Sequence, residues 1–204
     1  MRQSRHWPRI RCIVCEKEFS PYKHAHRRQC CSDACRRQHD EAKYVVKRTL
    51  SAVDAAYIAG LVDGEGTLSI WRESQPENKT GFKSVITFTI AQANQPFLED
   101  IREILGNGRI YSTGRVKNPK HKKCFQLGFK RHQTRWILPQ LIPYLRIKRR
   151  QAELVMQCLD TLDRSSRRDG DAHAERAALY HECHALNQRG IPNGSSAETP
   201  GQET

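Results

Sequence analysis

Two groups of residues in this sequence have types and spacings that could do chemistry. The first is Cys12-x2-Cys15, then fifteen residues, then Cys31-x3-Cys35. A thiolate pair two residues apart fits a tight turn with both sulfurs on one ion. A pair at i and i+4 fits the first turn of a helix, where the side chains share a face. Four such sulfurs make a closed tetrahedral zinc site, structural because no position is left for water. Cys30 could stand in for Cys31, and His39 could replace a thiolate. The second group lies at the end of the run Ala52 to Gly66. Small residues at Ala52, Ala56 and Gly60, with Ala55 and Ala59 beside them, make a smooth helix face that a second helix can approach closely. The turn that follows carries a carboxylate, Glu65. Two such helices side by side would bring two carboxylates together, and these repel unless divalent cations sit between them. Metals between carboxylates and phosphates are an apparatus for phosphodiester hydrolysis. A short calcium loop is the rival, but Asp63-x-Glu65 lacks the other ligand positions of an EF-hand.

The chain that must position these groups has 204 residues, 35 Lys/Arg against 22 Asp/Glu, a net charge of +13 and a pI of about 9.6. Nothing approaches the ~18 uncharged apolar residues of a membrane span, and the N-terminus leads into no apolar run. An intracellular protein is expected, with a polyanion, nucleic acid by default, as partner. Thirteen Lys/Arg against five Asp/Glu fall in residues 1–48, so most of the positive charge sits in less than a quarter of the chain. A module this small and this basic needs a metal to fold and is expected to touch phosphates. Cys124, Cys158 and Cys183 are isolated and read as small apolar residues.

The pattern divides the chain into a zinc-binding module (1–45), a central domain (49–163), a helical extension (164–189) and a disordered tail (190–204). Ser51 caps a helix that ends around Asp63-Gly64. Thr67–Glu73 and Phe82–Gln92 alternate as strands, with Leu68, Ile70, Ile86, Phe88 and Ile90 inward and Lys83, Thr87 and Thr89 outward. A helix capped by Asn94 or Gln95, with Pro96 at its start, carries the stripe Phe97, Ile101, Ile104 and Leu105 and ends at Gly106. A second hairpin pairs Gly108–Thr113 with Cys124–Phe129. Helices follow near Thr134–Leu141, strained by Pro139, then over Arg149–Asp163 and from Asp171 to about Gln188. The order is α+β, an antiparallel sheet covered by helices on one face and open on the other.

The segment Tyr57-Ile-Ala-Gly-Leu-Val-Asp-Gly-Glu-Gly66 resembles the signature of the LAGLIDADG homing endonucleases. The match is close at Ala59-Gly60-Leu61, at Asp63-Gly64 and at Gly66, with Glu65 where many members carry Asp. Phe88-Thr-Ile-Ala-Gln92 looks like the end of the family's second strand, where a polar residue organises water. The run from Pro143 to Leu154 looks like the stretch before its late helix, where Lys148 corresponds to a lysine that reaches the scissile region. The resemblance covers roughly Ser51–Asp163. It implies the LAGLIDADG fold and a site-specific endonuclease on double-stranded DNA, with Glu65 as Mg2+ ligand and Glu65, Gln92 and Lys148 as catalytic residues. With one copy of the motif, it implies a homodimer joined through Ala52, Ala56, Ala59 and Gly60. The open sheet would sit in the major groove, with Thr67, Ser69, Trp71, Lys83, Thr87, Thr89, Arg109, Tyr111 and Arg115 toward DNA. The rival is a binding protein on the same fold, an intron RNA maturase or a transcription regulator. The N-terminal segment resembles small treble-clef or zinc-ribbon modules, on its Cys-x-x-Cys, Lys17-Glu-Phe19 and Cys31-Ser-x-x-Cys35. Such a module could lengthen the DNA footprint, aid the dimer, or be the main DNA reader.

Overall fold

Ser51 starts the first helix of the central domain because its hydroxyl accepts the Asp54 N–H at 3.1 Å, satisfying one of the donors a helix start leaves open. The computed structural model describes residues 9–20, 29–76, 81–113, 123–164 and 170–188. In chain order the elements are β1 (Ile10–Arg11), β2 (Glu18–Phe19), α1 (Asp33–Tyr44), α2 (Ala52–Glu65), β3 (Gly66–Ser74), β4 (Phe82–Gln92), α3 (Gln95–Leu105), β5 (Arg109–Ser112), β6 (Phe125–Gly128), α4 (Arg131–Leu141), α5 (Arg149–Arg164) and α6 (Gly170–Asn187), with a 3-10 turn at Ile142–Tyr144 between α4 and α5. This is the expected α+β order. Arg115 and the tail 190–204 lie outside the described residues.

β3, β4, β6 and β5 form one antiparallel sheet in that order. The β3–β4 register pairs Leu68 with Phe88 and Ile70 with Ile86, so the apolar alternation of both strands falls on one face. That face carries Leu68, Ile70, Phe88, Ile90 and Leu127, and the core continues through Ile58, Val62, Leu98, Ile101, Leu138, Leu154, Val155 and Leu159 of the helices. Phe88 stacks on Phe129 with ring centroids 4.5 Å apart.

Several boundaries differ from the pattern reading. α2 runs on through Glu65 rather than stopping at Asp63-Gly64, and Gly66 opens β3 without a loop. A Cβ on Gly66 would meet the Val62 carbonyl oxygen at 2.5 Å, so only glycine allows this abrupt change of direction. α3 buries Leu98, which the periodicity missed, beside Ile101 and Leu105; Phe97 and Ile104 are only half-buried. α4 begins at Arg131, where the Gln133 side chain accepts the Lys130 N–H at 2.9 Å. Cys124 is exposed, unlike the buried Cys158 and Cys183.

The N-terminal segment is fastened to the domain. Asn107 accepts the Val46 N–H at 3.0 Å and donates to the Val46 carbonyl at 2.8 Å. Gln140 accepts from the Leu50 N–H at 2.9 Å, and the Trp136 indole N–H and the Gln140 amide both donate to the Arg48 carbonyl. At the other end α6 packs on β3 and α5, contributing Leu179 and Cys183 to the core. Asn187 donates to the Leu68 carbonyl at 3.1 Å, so a helix covers an edge strand that would otherwise offer free carbonyls. Among the described residues, no helix is long and apolar enough to cross a membrane.

Candidate active site and nucleic-acid face

The foot of α2 is held by a turn from the far end of the domain. Both oxygens of the Asp63 carboxylate are used: one accepts the Arg146 N–H and the other the Lys148 N–H, each at 2.8 Å. In return the Lys148 ammonium donates to the carbonyl oxygens of Val62 at 2.9 Å and Asp63 at 2.6 Å. These are terminal carbonyls of a helix whose own last turn carries no basic residue, so a cation from elsewhere caps it. Burial pushes the Asp63 carboxyl up, but the N–H groups of Arg146, Lys148 and Ile147 outweigh it and hold the carboxyl below its ordinary value. Burial lowers the Lys148 ammonium, and the charges of Asp63 and Glu65 oppose that shift.

Glu65 follows directly, exposed, as the last residue of α2. β3 starts opposite Ile90, so Gln92, two residues further along β4, ends its strand beside the same helix foot. Gln92 is half-buried and accepts the Ala93 N–H at 2.9 Å. The fold thus gathers Glu65, Gln92 and Lys148 at one end of α2. The role of Asp63 was missed. Its signal was present: an acid in the last turn of a helix is unfavourable unless something outside the helix uses it.

The outer face of α2 is open. Ala52, Ala56 and Gly60 are exposed, as are Val53 (78%) and Tyr57 (54%). A Cβ at Gly60 or Gly64 would meet nothing within 4 Å. Ala59 is the correction here: it is 0% exposed, because it sits at the margin of that face, where the helix turns toward the protein's own core. Beside the open face lies a groove of about 430 Å³, lined by Ala56, Gly60 and Asp63 of α2 and by Pro143, Tyr144, Arg146 and Arg149.

On the sheet surface away from the helices, Thr67, Trp71, Lys83, Arg109 and Tyr111 are exposed, and Ser69 and Thr87 are half-buried. Lys83 pairs with Glu73 at 3.5 Å. Thr89 is a second correction, 7% exposed. It is a short side chain on an inner strand, flanked by Thr67 and Gly128. A Cβ on Gly128 would meet the Tyr111 ring at 2.9 Å, so that ring lies over the glycine and shelters the row.

In the N-terminal module the sulfurs of Cys12, Cys15, Cys31 and Cys35 lie within 4.8 Å of one another, with Cys15–Cys31 at 3.4 Å and Cys31–Cys35 at 3.7 Å. Cys30 is buried nearby but is not in the group, and His39 turns its Nδ1 to Asp40 at 3.3 Å. Cys35 is in the first turn of α1, whereas Cys31 stands just before the Ser32 cap. Burial raises the Cys12 thiol, but the N–H groups of Cys15, Cys31 and Val14 prevail and bring it to about 6. Cys31 is pushed up to about 12, first by its hydrogen bond with Cys15 and then by burial.

With this geometry in place, residues 58–155 match the family model described as LAGLIDADG endonuclease. A curated relative from Chlamydomonas reinhardtii, DNA endonuclease I-CreI, is 30% identical over 135 residues, 64% of this chain and 77% of that protein. The chain belongs to the LAGLIDADG endonuclease family. DNA endonuclease I-CvuI from Chlorella vulgaris is a second relative, 29% identical over 126 residues, 61% of this chain and 68% of its own length. The crystal structure of the homing endonuclease I-CvuI with the I-CreI target and Mg superposes with a TM-score of 0.55 at 26% identity, covering 70% of this chain and 86% of that one. The motif that resembles the family signature therefore lies on α2 and its junction with β3.

Proposed function

We propose that this LAGLIDADG endonuclease cuts both strands of a specific DNA site as a homodimer, with one Glu65 from each protomer at a shared Mg2+-dependent centre. The observation that carries this reading is the pairing, on one helix, of an uncovered small-residue face with an exposed carboxylate at its foot. A second copy of α2 against Ala52, Ala56 and Gly60 brings the two Glu65 side chains together, where hard oxygen ligands suit Mg2+. Bound there, Mg2+ would supply Lewis-acid polarisation of the scissile phosphate and a lowered pKa for water. Glu65 holds it, Lys148 presents positive charge where the phosphate develops negative charge, and Gln92 orients the attacking water. Relatives named as DNA endonucleases and the retained acid at position 65 favour a nuclease over a maturase or regulator.

Lys83, Thr87, Arg109 and Tyr111, with Thr67, Ser69 and Trp71, are the residues proposed to face the major groove; Arg109 is the one suited to a bidentate guanine contact. The four-cysteine group is proposed as a structural zinc site. Zn–S bonds of ~2.3 Å in a tetrahedron put sulfurs ~3.8 Å apart, and the observed 3.4 and 3.7 Å spacings fit that edge.

The test is incubation of the purified protein with DNA spanning the locus of its own gene, joined without the insert. The expected result is a Mg2+-dependent double-strand break at one site. A tight complex insensitive to chelator, with no nicking, would instead support the binding protein.

A further inference from the structure

Asp63 belongs to the motif, but has no task in the chemistry just described. Its contacts give it one. Its side chain holds the backbone N–H groups of Arg146 and Lys148, while the Lys148 side chain holds the backbone carbonyls of Val62 and Asp63. The two segments are 85 residues apart in sequence and grip each other reciprocally. An ammonium has three donors. Two are spent on the helix end, which fixes the nitrogen in place and leaves one for a further partner. Leu145 seats the 145–149 turn in the core, and the Arg149 guanidinium bonds the Leu145 and Pro143 carbonyls. The guanidinium keeps the turn's shape but does not tie it to α2.

We propose that Asp63 is a positioning residue that sets the Lys148 ammonium relative to Glu65 through this clasp. This rests on Lys148 acting on the scissile phosphate. An asparagine at 63 keeps one acceptor oxygen and so holds one of the two N–H groups; alanine holds neither. Displacing a catalytic group by about 1 Å costs on the order of 100-fold in rate. The expected loss is graded, Asp63→Ala exceeding Asp63→Asn, and it falls on the cleavage step rather than on DNA affinity, since neither the sheet face nor the charge of Lys148 is altered.

The experiment is a double-mutant cycle on single-turnover cleavage of target DNA in Mg2+, using full-length protein. Its members are wild type, Asp63→Asn, Lys148→Met and the double variant, with DNA affinity and melting temperature measured for each. The expected result is a rate loss of 10- to 100-fold in Asp63→Asn at unchanged DNA affinity, and no further loss when Asp63→Asn is added to Lys148→Met. A purely structural residue would lower the rate by the same factor in both backgrounds, and that result overturns the proposal, as does a wild-type rate in Asp63→Asn. If Asp63→Asn does not fold, Asp63→Glu, which keeps the charge and lengthens the arm by one methylene, is put through the same cycle with the same criteria. Wild-type cleavage by Lys148→Met would instead remove the catalytic role of the lysine, a separate failure read from a separate corner of the cycle.

Discussion

Gly60 separates the stability of the protomer from that of the dimer. In the isolated chain a Cβ at this position meets nothing within 4 Å, and the residue lies inside α2. Gly60→Ala should therefore stabilise the protomer by about 0.5–1 kcal/mol, because a helix-interior glycine costs that much relative to alanine. Gly60→Leu keeps most of this gain, since leucine is nearly as good a helix former. If a second α2 packs against the same face, the leucine meets it twice, once from each protomer. Overpacking costs about 1–3 kcal/mol per site, so a symmetric dimer loses about 2–6 kcal/mol, a weakening of roughly 30-fold to 10⁴-fold in its dissociation constant. Sedimentation velocity across a concentration series, thermal melting of the variant at low concentration and DNA cleavage read the three quantities. A Gly60→Leu protein that stays dimeric at wild-type affinity and cuts normally would refute the reasoning.

Gly66→Ala, six residues on, should do the opposite, destabilising the protomer itself by ~1–3 kcal/mol or more, because its Cβ collides with the Val62 carbonyl in the same chain; denaturant unfolding checks it. Asp63 ionises more easily in the folded protein than its ordinary 3.8, so its contribution to stability is complete above that pH and is lost as pH falls through the depressed folded value. Acid unfolding followed in parallel should show this loss in wild type and not in Asp63→Asn. Zinc removal by a chelator, or Cys15→Ser, should release amide protection in α1 while the core of the central domain stays protected, as read by hydrogen exchange; unchanged protection in metal-free protein would speak against a structural ion. Arg109→Ala should weaken target binding by about 1–3 kcal/mol if the guanidinium reads a base, with the loss confined to one base pair of the site; a set of single-base target variants measures it.

Much of the fold was legible because its signals are local. Ser51, Asn94 and Gly106 act as caps where their types indicated, and the period-2 alternation of β3 and β4 fell on the expected face because the register pairs like with like. The errors came where tertiary context decides. Ala59 and Ala56 are equally small, and composition cannot say which side of a helix faces the core. Thr89 alternates with Phe88 and Ile90 as an outward residue should, yet the Tyr111 ring over Gly128 closes its row, a shelter supplied by a hairpin that α3 separates from β4 in sequence. Glu65, Gln92 and Lys148 could be named from motif resemblance, but the clasp between Asp63 and the 146–148 turn spans 85 residues and leaves no periodic trace. The same holds for Asn107 and Gln140, whose polar side chains fasten the N-terminal segment to the domain.

Glu65, at the foot of α2, is proposed to hold the metal required for DNA cleavage. The most direct measurement of this role compares wild type and Glu65→Gln on the same target DNA, with binding followed by mobility shift and cutting followed in Mg2+. The account predicts equal binding and no cleavage by the variant. Cleavage by Glu65→Gln at the wild-type rate would contradict it.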